Sequence, residues 1–212
     1  MSRLSLDEKL NTITHAIGIP LGLAGTVLCL RRGLLLGDPW YLYSTLVFTL
    51  SMTLMYLTST LFHCVTNERA RQWLRHGDHC AIYLLIASSY TPFTLIVLRE
   101  VGYYGWGLFA LVWAAAIFGI AISLRRLKSI SLLKTIGYIA MGLLVLLVIV
   151  PLRNELMTQN KAQVLHWLIG GGVSYIAGTY FYMKDTQHLM HAIWHLFVLG
   201  GSACHLMAIY QL

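Results

Sequence analysis

A chain of 212 residues that is 58% hydrophobic and 11% charged, with a mean hydropathy of +0.68, lies far from the balance of a soluble domain and implies a polytopic membrane protein. Its net charge of +7 would suggest nucleic acid in a soluble chain, but the basic residues sit in short segments between apolar runs, where they orient a membrane protein and imply no nucleic-acid partner. Cys29, Cys64, Cys80 and Cys204 are dispersed without a CxxC pair, which argues against a disulfide frame or thiolate metal site and reads as small buried hydrophobes.

The N-terminus is polar and carries no cleavable signal pattern, so the first span is expected to act as an uncleaved insertion signal. Ser5-Leu6-Asp7-Glu8 is a capping-box pattern, and Leu6, Leu10 and Ile13 recur at helical spacing. They predict a short interfacial helix over about 5–12, with Glu8, Asn11 and His15 on its polar side. Spans of about the ~20 residues needed to cross a bilayer are then predicted over 13–30, 41–63, 79–98, 104–124, 135–152, 164–183 and 189–210. Asp38-Pro39-Trp40 introduces the second, a basic loop from Asn67 to His76 separates the second from the third, and Pro92 is expected to kink the third. Trp40, Trp106 and Trp167 near span ends suit interfacial anchoring.

Assigning the 15 basic residues to alternate sides gives an orientation. One side receives Arg3, Lys9, Arg69, Arg71, Arg75, Arg125, Arg126, Lys128, Lys134 and Lys184; the other receives Arg31, Arg32, Arg99, Arg153 and Lys161. This asymmetry predicts a cytoplasmic N-terminus. No internal repeat, low-complexity tract or linker is visible. The expectation is therefore an all-α membrane protein, with residues 1–212 forming a single seven-helix transmembrane bundle.

The stretch His191-Ala192-Ile193-Trp194-His195 puts two imidazoles on one helix face, because four residues advance a helix by about 400°. Such a pair is either two core histidines satisfied by backbone carbonyls or half of a metal shell. The topology supplies a further ligand type: His63 closes the second span on the side where the seventh begins, and Asp78 opens the third there. Three histidines plus an open position make a catalytic zinc shell. Ser59, four residues before His63, shares its face and can bind water, a substrate oxygen or a ring N–H. His205 lies roughly 15 Å beyond His195 along an ideal helix, too far to share the metal, and reads as a packed histidine or part of an ion path. His76, His79, His166 and His188 lie near predicted loops and read as solvated.

Ser59-Thr-Leu-Phe-His63, Gly77-Asp78-His79, His191-Ala-Ile-Trp-His195 and Glu8-Lys-Leu-Asn11-Thr-Ile-Thr-His15 together resemble the motifs of the hemolysin III proteins and the related progestin and adiponectin receptor family. The resemblance covers essentially the whole chain. It implies seven helices, a cytoplasmic N-terminus, zinc held by His63, His191 and His195, and Ser59 and Asp78 beside the water that shares the metal. It also implies kinship with membrane alkaline ceramidases, which are zinc amidases. The long cytoplasmic N-terminal region of the receptors has no counterpart here, so the chain looks like a bacterial member, placed in the plasma (inner) membrane.

Four functions follow from these expectations. The first is a zinc-dependent hydrolase of lipid amide or ester bonds, ceramidase-like, with Asp78 as base and a role in membrane lipid homeostasis. The second is a non-catalytic sensor or receptor in which zinc staples helices. A cytolysin would want a wide polar stripe, and a zinc transporter would want ligands spread across the membrane. Glu8, Asn11 and His15 are expected to support the site from below rather than ligate.

Overall fold

The computed structural model describes residues 4–125 and 132–212. Arg3, Arg126 and Lys128, which entered the charge assignment, lie outside the described residues. Among those described, every regular element is helical.

Ser5 caps α1 (Leu6–Ala16) by accepting a hydrogen bond from the Glu8 N–H at 3.2 Å, the interaction that the capping-box spacing predicts. A single residue, Ile17, itself with helical dihedrals, joins α1 to α2 (Gly18–Leu36). Polar and apolar stretches thus form one nearly continuous run from Leu6 to Leu36. Gly37, at φ +63, ends α2 in the left-handed conformation, a helix stop that glycine adopts without steric cost. Asp38 then caps α3 (Pro39–Cys64), accepting from the Trp40 N–H at 2.9 Å, with Pro39 in the first turn.

α4 (Glu68–Pro92) begins much earlier than the predicted third span. Asn67 accepts from the Ala70 N–H at 3.1 Å, and this cap turns the expected basic loop into the opening turns of the helix. Pro92 does not stop the chain from coiling. It withdraws one backbone donor, and the ladder continues in a wider π register over Phe93–Val97. α4 is the central helix: 72% of its most apolar window is buried, against 44% or less for the other five candidate spans.

α5 (Tyr104–Arg125) follows. The predicted fifth span is divided into α6 (Leu132–Leu143), a 3₁₀ segment (Leu144–Val148) and α7 (Ile149–Thr158). The Tyr90 hydroxyl from α4 sits at this break. It lies 2.6 Å from the Gly142 carbonyl and 2.8 Å from that of Met141, and accepts from the Val145 N–H at 3.1 Å. One phenol therefore satisfies the backbone groups that the break frees inside the bundle. α8 (Ala162–Tyr182) and α9 (Met190–Tyr210) complete the chain and pack along each other.

Among the described residues, six helical stretches are long and apolar enough to cross a membrane: 6–36, 39–64, 68–97, 104–124, 134–158 and 190–210. The predicted span at 164–183 corresponds to α8, which has the length, at 21 residues, but is not among the six. Gln163, His166 and the run Gly170-Gly171-Gly172 lower its apolarity. The outward surface suits a lipid solvent: Leu34, Leu35, Phe118 and Leu147 are each more than 60% exposed, a distribution that would be an aggregation hazard in water.

Candidate metal centre

One end of the bundle gathers chemistry from four helices. The last turn of α3 supplies His63, the opening turns of α9 supply His191 and His195, α4 supplies Asp78, and α1 lies against them. A ligand nitrogen from each of His63, His191 and His195 falls within 4.8 Å of the others. His195 is fully buried, His63 nearly so, and His191 partly.

The outer nitrogens are held by the protein. His63 Nδ1 lies 2.7 Å from Glu8 Oε2, and Arg71 donates to the other carboxylate oxygen. His195 Nδ1 lies 3.2 Å from the Asn11 carbonyl and 3.0 Å from Thr14 Oγ1, while the Thr14 hydroxyl has its own acceptor in the Leu10 carbonyl at 2.8 Å. His191 Nδ1 faces Asp185 Oδ2 at 3.7 Å. A carbonyl or carboxylate can only accept, so at His63 and His195 these partners place the proton on Nδ1 and leave the Nε2 lone pair free, while Asp185 stands beyond hydrogen-bond distance of His191. All three Nε2 atoms are buried without a hydrogen-bond partner. Three buried Nε2 atoms without partners fit a divalent metal that takes imidazole ligands, zinc among them.

The remaining predicted residues divide by geometry. Ser59 is completely buried, and its Oγ is also without a partner. His15 stacks on His195, ring centroids 3.4 Å apart, and is not one of the three converging imidazoles. Glu8 and Asn11 reach the histidine rings from outside, Asn11 through its backbone carbonyl. Asp78, 8% exposed, lines two spaces at once. One is a polar recess with Glu8, His63 and His191 on its walls; the other is a largely apolar cavity of ≈340 Å³ running into the bundle. His79 is buried, with Nδ1 2.6 Å from the Arg75 carbonyl, because α4 already exists at that point and carries it inward. His188 is exposed but sits 2.7 Å from Asp7.

Thr14, Arg71 and Asp185 belong to the site and were not signalled by sequence pattern. Asp185 alone had a local cue, an acidic residue in the short connection before the HxxxH. That connection ends at Leu189, whose φ of +66 is unusual for a residue with a Cβ and which sets the direction of the first turn of α9.

Fold and site define a class: an all-helical integral membrane protein with a buried cluster of three histidines at one end of its bundle. The family profile described as Haemolysin-III related matches residues 5–206, and the chain belongs to that family. It is 39% identical over 197 residues to the "Hemolysin-3 homolog" of Bacillus subtilis (strain 168), covering 93% of this chain and 90% of that one. It is 37% identical over 203 residues to "Hemolysin-3" of Bacillus cereus, covering 96% and 90%. The human "Monocyte to macrophage differentiation factor" is similar at 29% identity over 213 residues, covering 97% and 84%.

Proposed function

We propose that this protein is a zinc-dependent hydrolase of lipid amide or ester bonds, working in the bacterial plasma membrane and serving membrane lipid homeostasis. The observation that carries the reading is the position of Asp78, a carboxylate that borders both the histidine recess and the apolar cavity. An acyl chain in the cavity would bring its carbonyl to the recess that Asp78 shares with His63 and His191.

A zinc ion held by His63, His191 and His195 would supply Lewis-acid polarisation of that carbonyl and acidification of water. The chain's own groups do the rest. Asp78 takes a proton from the attacking water and returns it to the leaving nitrogen or oxygen. Ser59 Oγ, unpartnered on the His63 face, orients water or the substrate oxygen. The hydrophobic walls exclude bulk water and select an acyl chain over a polar substrate.

The same geometry supports a second reading, in which zinc staples α3 to α9 with α1 strapped beneath, and the protein is a non-catalytic sensor. Asp78→Asn separates the two, since it keeps volume and much of the hydrogen bonding while removing the base. On the hydrolase reading, zinc measured by elemental analysis stays stoichiometric and lipid turnover followed by mass spectrometry falls about 10²–10⁴-fold. Retained turnover with retained zinc would remove the hydrolase reading, and lost zinc would make Asp78 a ligand.

A further inference from the structure

The cavity has a second polar end. His205, 9% exposed, lines it, and lies roughly 15 Å along α9 from His195 on ideal helix geometry. The Leu168 carbonyl approaches one side of the ring, and the nitrogen on the other side has no hydrogen-bond partner. Beside it, Tyr175 also lines the cavity, its ring edge-on to His205 at 5.3 Å. The Tyr175 hydroxyl lies 2.9 Å from Ser202 Oγ, which also accepts from the Tyr56 hydroxyl at 2.8 Å.

Backbone packing builds this cluster in. A Cβ on Gly171 would lie 2.3 Å from His205 Cδ2, and a Cβ on Gly201 would lie 2.8 Å from the Tyr175 ring. Each helix of the α8–α9 pair thus offers a glycine to the polar ring of the other. Such rings are costly inside a bilayer protein unless they meet a polar group. The hydrogen count leaves capacity for one. If Tyr56 donates to Ser202 and Ser202 donates to Tyr175, then the Tyr175 O–H and a His205 nitrogen are both open towards the cavity.

We infer that the His205–Tyr175 pair is a binding site for a hydroxyl carried part-way along an acyl chain, so that the cavity prefers hydroxylated over plain acyl groups. The inference rests on the acyl-chain reading of the cavity and names its substrate class more closely. The hydroxyl would accept from the Tyr175 phenol and donate to, or accept from, the His205 ring, while the chain spans the apolar stretch back to Asp78. A pocket that leaves its own polar groups unpaired around an unsubstituted chain discriminates against that chain.

The test uses purified zinc-loaded protein in nanodiscs and competition against a fluorescent fatty acid, with ricinoleic and oleic acids as the hydroxylated and plain competitors. Ricinoleic acid is expected to compete at about tenfold lower concentration, the effect of a neutral hydrogen bond or two. His205→Phe and Tyr175→Phe should each narrow that difference, ricinoleic acid losing a polar partner and oleic acid competing at least as well, and thermal melts in the same nanodiscs check that the variants are folded. Equal competition by both acids on the wild type would mean that the cluster holds only water, and a preference undiminished by both substitutions would place the hydroxyl elsewhere; either overturns the proposal. Because binding is read without turnover, failure of the hydrolase reading leaves a preference intact, whereas absence of binding by either acid overturns the acyl cavity itself.

Discussion

His63 and Glu8 illustrate how the site is made from residues that say little alone. The Glu8 carboxylate is shared between the His63 ring and Arg71, so it fixes the tautomer of one of the three converging imidazoles while its own charge is balanced. If zinc is held as proposed, His63→Ala is expected to abolish stoichiometric zinc, checked by elemental analysis of purified protein. Removing only the support, Glu8→Gln, should instead weaken metal affinity by about 10–100-fold, read by competition with a chelator. Full zinc in the first variant would take His63 out of the shell, and unchanged affinity in the second would make Glu8 merely a helix clamp. His63, His191 and His195 could be brought together on paper because HxxxH is a local pattern and alternation of spans fixes which ends meet. Not all of their partners could: Thr14 and His195 are 181 residues apart, and nothing in either neighbourhood announces the contact. His79 shows the opposite error, a residue at the start of a predicted span and read as solvated because a basic loop was expected just before it, when Asn67 had already started the helix that buries it.

At the scale of elements, the broken run α6–3₁₀–α7 depends on another chain segment for its stability. The hydropathy of this stretch predicts one plain span, since Leu144–Val148 is as apolar as its flanks and contains no proline or glycine to mark a break. What permits it is Tyr90, a residue 51–55 positions earlier, whose hydroxyl serves two carbonyls and an N–H. Tyr90→Phe should leave those buried groups unpaired at a cost of about 1–3 kcal/mol, seen as a lower melting temperature in detergent. An unchanged melting temperature would mean that the break is satisfied by water. The Pro92 region differs, because proline is visible in the sequence even though the form of its disturbance, a π turn over Phe93–Val97, depends on how the neighbours fill the gap.

For the whole molecule, the charge asymmetry leads us to expect the N-terminus in the cytoplasm and the C-terminus on the other side, with α8 crossing in spite of its composition. Reporter fusions at the two ends check both statements together. Opposite sides are the expected outcome, and two reporters on one side would mean that α8 does not cross and that His63 and His191 need another reason to share a depth.

The modest apolarity of α8 bears on how the protein is made. A segment with Gln163, His166 and a triple glycine has little tendency to leave the translocon for lipid by itself, yet its Gly171 makes room for the His205 ring of α9. The pair should therefore partition into the bilayer as a helical hairpin after α9 has been synthesised, with α8 waiting at the channel in the meantime. Ribosome-bound chains truncated before α9 would then show residues near Gly171 still open to aqueous labelling, and longer chains would show them protected.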